Sequence, residues 1–600
     1  MIFKRKRKNL SNLDQEVKRS QIDFFMKTLT PCAPPEENLV CSHNFYDSTA
    51  PSIDTKEEKT VTPVKKILKK PKMKKRQIKA TKRSKEESEY KAIVRQPPAE
   101  KRQTRAKKNK SNFDEEMVGM SRDEEKMLQI ALKNSLRQKR ITSFIPLNEI
   151  EEMKVYRPSE EEFRDPIHYI EKLYAEGAHE YGCVKIIPPS SYCPPRPMDK
   201  SSSKRMPIRL QTVQELSQAK PFDTNEEGVT FQEFMNKDPG SKAFKHLIDT
   251  KDYDQIERNF WEFLENPESE TVQVDYASDL KSDEFMAKEA SEDANYQNHP
   301  WNMNRLHLQK NSLLQFCEDK YISGITKSWL YVGMMYSSFC WHYEDLMMYS
   351  LNYMHEGEGK IWYAIPSYHR EKFERLAKDK LASRFSEDPN LLLDINVMLN
   401  PAYLVENGVH VYRTHQKPGE IIMTFPESYH QGVSVGFNIA EAVNLACPSW
   451  IEYIYKAMTV YMATREKVPV FPVDWMLIEC AKKIDSCSFD PEQRKILKQA
   501  YSLWLQKELT ERSLVASHYQ DKERYHKENV KLLPNRENVG EDAFECFYCI
   551  NLCYSSLIQC QNCGRNYCIS HELHCGCPKD QIRIVYRYST KELQSFHDHI

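Results

Sequence analysis

The sequence predicts an α+β protein: a β-rich core, a C-terminal helical domain and a cysteine-rich tail, preceded by a disordered basic arm. Three observations predict it. Residues from about 260 to 448 alternate aromatic and β-branched runs with Gly/Pro punctuation, as short strands and turns do. From 449 to about 540 the apolar period turns helical, in "IEYIYKAMTVYMATREK" and "EQRKILKQAYSLWLQKELTERSL". Residues 546–577 then hold eight cysteines in 32 positions.

The 600 residues allow several domains at roughly 100–200 residues each. The 87 basic and 87 acidic side chains cancel formally, but they are not evenly mixed. "VKKILKKPKMKKRQIKATKRSK" (64–85) carries twelve Lys or Arg and no acid, with "KRKRK" before it and "EKRQTRAKKNK" after it. A basic arm on an otherwise acidic body reads as a segment for nucleic acid, for nuclear import receptors, or for both. Residues 1–115 are otherwise Lys-, Ser- and Pro-rich with little apolar periodicity, which predicts disorder. No run of apolar residues is long enough to span a membrane, and "MIFKRKRKNLSN" lacks the apolar stretch of a secretory signal. With no export signal, the seventeen cysteines point to zinc in a reducing compartment rather than to disulfides.

Within 120–140, "RDEEKMLQIALKNSLRQ" (122–138) places Leu128, Ala131, Leu132 and Ser135 on one side of a helix behind an acidic start. The pattern resembles a ubiquitin-interacting motif. Ordered structure is expected from about Val155. In 155–197, Ser159 reads as a helix cap, followed by an acidic turn and by Ile167, Ile170 and Leu173 at helical spacing. "CVKII" before two prolines reads as a short strand.

"SSFCWHYEDLMMYSLNY" (337–353) is apolar and aromatic, yet carries His342, Glu344 and Asp345. Buried charge costs several kcal/mol unless it is paired or bound to metal. In a strand, His342 and Glu344, two apart, share a face, while Trp341 and Tyr343 point away. Two histidines and one carboxylate with open positions suit non-haem Fe(II) that also binds a co-substrate and O2. His430, after the strand-like "EIIMTF", is the candidate third ligand. Asp345 is predicted to face away and to be structural, whereas Ser350 and Asn352 are expected to continue the inward phase of the same strand.

"HPWNMNRL" (299–306), "ISGITKSWLYVGMMYSSFCWHYEDLMMYSLNYMHEGEGKIWYAIP" (322–366) and "FNIAEAVNLACPSW" (437–450) together resemble a jumonji C domain, closest to the JARID-type histone lysine demethylases. "EEFRDPIHYI" and "KIIPP" in 155–197 resemble the jumonji N segment of that family, and the cysteine cluster resembles its C5HC2-type zinc finger. The resemblance implies a double-stranded β-helix of the jelly-roll (cupin) kind over 260–450, a helical domain over 451–540 and a zinc finger over 546–600. It implies that His342, Glu344 and His430 hold Fe(II), and that Tyr276, Phe339, Ser350, Asn352 and Lys360 hold 2-oxoglutarate, Lys360 pairing with its distal carboxylate. Gly324, Tyr331 and Asn444 fall at positions around a methylated lysine.

The implied activity is N-methyl hydroxylation of lysine 4 in the histone H3 tail, with release of formaldehyde, in the nucleus. A catalytically silent chromatin scaffold and a protein hydroxylase are the alternatives. Retention of His342, Glu344, His430 and Lys360 argues against the silent reading. The chain departs from the family in "HQGVSVGFN", where Val433 and Ser434 replace the usual Phe-Asn, and where the lost asparagine is expected to weaken a hydrogen bond near the iron. Glu356 also stands where an aromatic is frequent.

In the cysteine cluster, Cys546/Cys549, Cys560/Cys563, Cys568/His571 and Cys575/Cys577 make four ligand pairs, enough for two tetrahedral zinc ions. An interleaved pairing is expected: Cys546, Cys549, Cys568 and His571 on one ion, with Cys560, Cys563, Cys575 and Cys577 on the other. Cys553 is then spare.

Overall fold

The structure, a computed structural model, describes residues 146–600 except 196, 239–243, 267–270, 318–319, 521–529, 533–543, 572–576 and 579–580. The basic arm and the ubiquitin-motif-like 122–138 lie outside the described residues.

Thirteen strands build two sheets among the described residues: β1 (Val155–Tyr156), β2 (Cys183–Ile186), β3 (Met206–Thr212), β4 (Asp223–Val229), β5 (Gln273–Lys281), β6 (Trp329–Gly333), β7 (Ser338–His342), β8 (Tyr349–Gly357), β9 (Lys360–Ile365), β10 (Tyr412–Gln416), β11 (Ile421–Thr424), β12 (Tyr429–Ser434) and β13 (Asn438–Leu445). The larger sheet runs β1-β2-β11-β8-β13-β6-β5-β3-β4, and the smaller runs β10-β9-β12-β7. The fold is the expected double-stranded β-helix, the chain passing between the sheets at each step from β6 to β13 except β9–β10, which pair within the smaller sheet. Strands β9 and β12 are buried at every position because packed elements cover both their faces. β9 accordingly reads as a continuous apolar run after Lys360, whereas β12, "YHQGVS", buries His430, Gln431 and Ser434 along with Tyr429 and Val433.

The sheet reaches well beyond 260–450. Strands β1 and β2 extend one edge, β2 pairing antiparallel with β11 through Val184↔Met423 and Lys185↔Ile422. Strands β3 and β4 extend the other. The sequence of β4, "DTNEEGV", is mostly exposed and polar, so nothing in its hydropathy marked it as a strand.

The first long helix, α1 (Pro166–Ala175), buries Ile167, Ile170 and Leu173, as the spacing predicts. Its cap, however, is Asp165, whose carboxylate accepts from His168 N at 3.0 Å. Ser159 instead closes a separate 3-10 turn by exchanging hydrogen bonds with Glu162. Pro166 explains the division: it lacks an N–H and fits the first helical position, where no bond is needed, but not a helix interior.

Three helices follow the core, α2 (Ile454–Thr464), α3 (Val473–Lys482) and α4 (Pro491–Gln520), with α5 (Thr590–His599) at the C-terminus. One hydrophobic cluster joins α1, the outer face of β8 and β11, and these helices through Leu351, Met423, Trp450, Leu477 and Tyr501. The cysteine segment docks on the helices through buried polar contacts. Ser555 N donates to Asp474 at 2.8 Å, and Arg512 donates to the Tyr588 carbonyl at 2.8 Å.

Candidate active site

The site lies between the two sheets. A small apolar cluster of Cys183, Trp362, Ala364 and Ile422, with Phe339 against it, lines the gap. His342 ends β7 and Glu344 follows it in extended backbone, so the alternation that turns both to one face persists past the strand's last hydrogen bond. His430 on β12 lies directly opposite His342, with ring centroids 4.3 Å apart. One ligand atom from each of His342, Glu344 and His430 lies within 4.8 Å of the others.

The hydrogen bonds behind the rings orient them. His342 Nδ1 donates to the Cys340 carbonyl at 2.8 Å and His430 Nδ1 to the Ser428 carbonyl at 3.1 Å. A carbonyl only accepts, so both rings carry their proton on Nδ1 and present a bare Nε2. Burial pushes His342 down to about 4, and His430 beside it adds to the shift. Burial opposes the Glu344 charge, but the adjacent His430 and His342 and the Asn444 amide outweigh it and hold the carboxyl at about 2. The three groups are thus two imidazoles that turn Nε2 inward and a carboxylate, a donor set that fits a divalent transition metal with positions left open.

Ser350 and Asn352 face the gap, but not from the strand that carries His342. Leu346 and Met347 adopt left-handed backbone, φ 52° and 54°, and turn the chain out of the smaller sheet into β8 of the larger one. Such a kink costs energy in a non-glycine residue. It is held by the helical domain, where Trp450 Nε1 donates to the Leu346 carbonyl at 2.9 Å and Tyr461 Oη accepts from Leu346 N at 3.2 Å. Asp345 does not join the triad: it accepts from Tyr461 Oη at 3.1 Å and pairs with Lys467. A cleft lined by His342, Glu344, Asp345, Leu392, Ile395 and Tyr461 opens beside the triad.

Lys360 lies at the other end of the gap, 2% exposed. Its ammonium donates to Ser434 Oγ at 3.0 Å and sits 5.0 Å from the Tyr276 ring centroid. No carboxylate pairs with it among the described residues, and burial alone pushes it down to about 7. A buried cation without a counter-ion is costly unless a ligand supplies the charge. The Asn352 side-chain oxygen accepts from Gln416 Nε2 at 3.3 Å. Phe339 packs on Trp362 at 4.6 Å, and Gly432 must be glycine because a Cβ there would stand 2.5 Å from the Phe339 ring.

Around the triad's open side, Asn444 Nδ2 donates to Glu344 Oε2 at 2.9 Å, and Asn444 N donates to the Gly324 carbonyl at 2.7 Å. Tyr331 donates to Asp279 at 3.2 Å, and the rings of Tyr331 and Tyr276 lie 6.2 Å apart. Trp362, which stacks at 5.9 Å on His430 and donates to Gln416 at 2.9 Å, was missed by sequence reasoning. Its place in the fully apolar β9 offered no signal beyond its two-residue offset from Lys360. Ser434, expected near the metal, instead contacts Lys360. Glu356 pairs with Lys200 at 2.7 Å.

In the cysteine segment, Cys546, Cys549, Cys568 and His571 form one group of mutually close ligand atoms, and Cys560, Cys563 and Cys577 form another. Cys575 lies outside the described residues. Cys553 is buried beside the first group, where Cys546 and burial push its thiol well up.

A double-stranded β-helix with two histidines and a carboxylate between its sheets is a cupin-type site, the class to which metal-dependent oxygenases belong. Residues 154–188 match the jmjN domain family, 329–445 the "JmjC domain, hydroxylase" family and 546–596 the C5HC2 zinc finger family. The chain is 30% identical over 526 residues to the rice (Oryza sativa subsp. japonica) protein "Lysine-specific demethylase JMJ703", covering 75% of this chain and 41% of the relative. It is 33% identical over 366 residues to "Lysine-specific demethylase 5B" of Gallus gallus, covering 58% and 22%, and 35% identical over 356 residues to "Lysine-specific demethylase JMJ17" of Arabidopsis thaliana, covering 56% and 28%. The chain thus spans under half the length of each of these relatives. It carries the jmjN, JmjC and C5HC2 zinc finger domains in that order, a combination that supports the JARID-type jumonji family.

Proposed function

We propose that the chain is an Fe(II)- and 2-oxoglutarate-dependent lysine demethylase acting in the nucleus on the methylated tail of histone H3, at lysine 4. The observation that carries this reading is the pairing of an open two-histidine, one-carboxylate face with a buried, unpaired lysine in the same gap. Two imidazoles and one carboxylate suit Fe(II), and a lone buried ammonium suits the far carboxylate of a dianion. When bound, the iron and 2-oxoglutarate would supply the chemistry by which O2 hydroxylates an N-methyl group, one oxygen atom going to the methyl carbon and one to the co-substrate, and the hydroxylated methyl would leave as formaldehyde.

The chain's own residues bind and orient. His342, Glu344 and His430 hold the metal, with the carbonyls of Cys340 and Ser428 keeping both imidazoles in the right tautomer. Lys360 neutralises the co-substrate's far end, Tyr276 and Asn352 add polar contacts, and Ser350 lies on their face. Phe339 and Trp362 keep water out of the gap. Gly324, Tyr331 and Asn444 shape the place for the methylated ammonium, with Asn444 also fixing Glu344. In this reading 155–197 is the jumonji N segment, 260–450 the catalytic core, 451–540 its helical support and 546–600 a zinc-bound structural module. The basic arm serves import or DNA contact, and 122–138 contacts ubiquitin.

The test is a reaction of purified protein with methylated H3 peptides, Fe(II) and 2-oxoglutarate, reading formaldehyde and peptide mass. Loss of methyl mass with formaldehyde is expected. Gain of one oxygen without demethylation would make the protein a hydroxylase. No turnover, with histone binding unaffected by His342→Ala, would make it a silent scaffold.

A further inference from the structure

Lys360 is not held by an acid but by a hydroxyl pair. Ser434 Oγ accepts from Lys360 Nζ at 3.0 Å and bonds Ser337 Oγ at 2.9 Å, and all three side chains are buried. The pair is fixed by backbone on both sides: Ser434 N donates to the Ser337 carbonyl and Tyr336 N to the Ser434 carbonyl, each at 2.9 Å. The space is kept by Gly333 on β6, where a Cβ would stand 2.7 Å from Ser434 Oγ and 2.8 Å from Ser337 Oγ. Gly333 is in register with Tyr276 on β5, so the hydroxyls, the ammonium and the tyrosine ring meet at one end of the gap.

The hydrogen inventory gives this pair a role. An ammonium can only donate, so Ser434 Oγ must accept from Lys360. With Ser337 as donor to Ser434, the Ser434 hydroxyl accepts twice and keeps its own hydrogen for a further partner. A carboxylate at the Lys360 ammonium would accept it. Because both hydroxyls are neutral, they aim the lysine without cancelling the charge that the ligand is to meet.

We propose that Ser434, oriented by Ser337 in the space left by Gly333, is a positioning and binding residue for the far carboxylate of the dicarboxylate co-substrate, acting with Lys360 as one two-donor clamp. This rests on the proposed function. It also assigns a role to the position where "HQGVSVGFN" departs from its family: the serine serves the co-substrate end of the gap, not the metal end.

The test is titration of the full chain, loaded with Mn(II) in place of iron, with 2-oxoglutarate, alongside thermal unfolding and KM for 2-oxoglutarate. Ser434→Ala is expected to weaken 2-oxoglutarate binding about tenfold, the weight of one hydrogen bond to a charged group. Ser434→Thr, which keeps the hydroxyl, is expected to restore most of it, and Ser337→Ala to give an intermediate loss. Affinity for a methylated H3 peptide is the control that a general loss of structure would move. If Ser434→Ala binds 2-oxoglutarate within twofold of the parent while Lys360→Met loses it, the clamp is wrong and the proposed function stands. If Ser434→Ala does not fold, Ser434→Thr and Ser337→Ala decide alone: equal loss in both overturns the hydroxyl's role. If the parent chain itself binds no 2-oxoglutarate, both fall.

Discussion

The Asn444 amide donates to Glu344 Oε2 at 2.9 Å and to the Tyr349 carbonyl at 3.2 Å, tying the end of β7 to β13 and β8 across the gap between the sheets. Glu344 Oε1 lies 3.3 Å from His430 Nε2, so the Asn444 amide sets the carboxylate beside the imidazole before any metal arrives. Outer hydrogen bonds of this kind typically contribute 10–100-fold to metal affinity.

Asn444→Ala is accordingly expected to weaken Mn(II) or Fe(II) binding at the triad by about tenfold or more. Metal titration of the purified chain reads this directly. Unchanged affinity would mean that the Asn444 amide does not set the orientation of Glu344.

Lys360 sets a pH dependence. Burial lowers it from 10.5 to about 7, so above about pH 7 the free protein loses the charge that the co-substrate needs. Binding of 2-oxoglutarate is expected to weaken by up to about tenfold per pH unit above that point. In Lys360→Met binding should be weak and flat with pH. The stability effect has the opposite sense. Between about 7 and 10.5 the unfolded chain keeps a proton that the folded one has lost, so this group makes stability rise with pH across that window. The difference in urea unfolding between the parent and Lys360→Met across the window measures it.

Tyr461 supports the left-handed turn at Leu346 and Met347 from α2, and it does so with both its donor and its acceptor capacity. Tyr461→Phe leaves the buried Leu346 N–H without that partner, at a cost of about 1–3 kcal/mol. The expected result is a matching loss in urea unfolding and weaker metal binding at the triad, because Glu344 stands two residues before the turn. A loss of stability with metal affinity intact would show that the turn is decoupled from the site.

Removal of the zinc proposed for the cysteine segment should loosen it, because the ligand residues that zinc would tie together are then linked only by packing and strand hydrogen bonds. A strong chelator, or Cys546→Ser, is expected to make residues 546–596 sensitive to protease, and added zinc should reverse the effect of the chelator. Protection that survives with no bound zinc detected would refute the structural role.

Much of the site was legible because its parts sit close in sequence or at strand spacing. His342 and Glu344 are two apart, and extended backbone turns them together even though the strand ends between them. The ligand groups of the tail are legible because CxxC spacing is local. The cap at Asp165, the break before β8 and the contact of Ser434 were not legible. Each depends on a competing local geometry or on a neighbour more than 70 positions away, as Lys360 is from Ser434.

What the sequence by itself determined is the chemistry at hand: which side chains can ligate, which strongly periodic segments are strand or helix, and the order of modules. Only the tertiary structure decided the partners. Hydropathy reports whether a side chain is buried, not what it is buried against, and the cost of burying Lys360 is the same on paper whether a carboxylate or a serine faces it. The pairing of β12 with β9 put Ser434 opposite Lys360 and His430 four residues away near His342, so register separated the triad end of the gap from the Lys360 end.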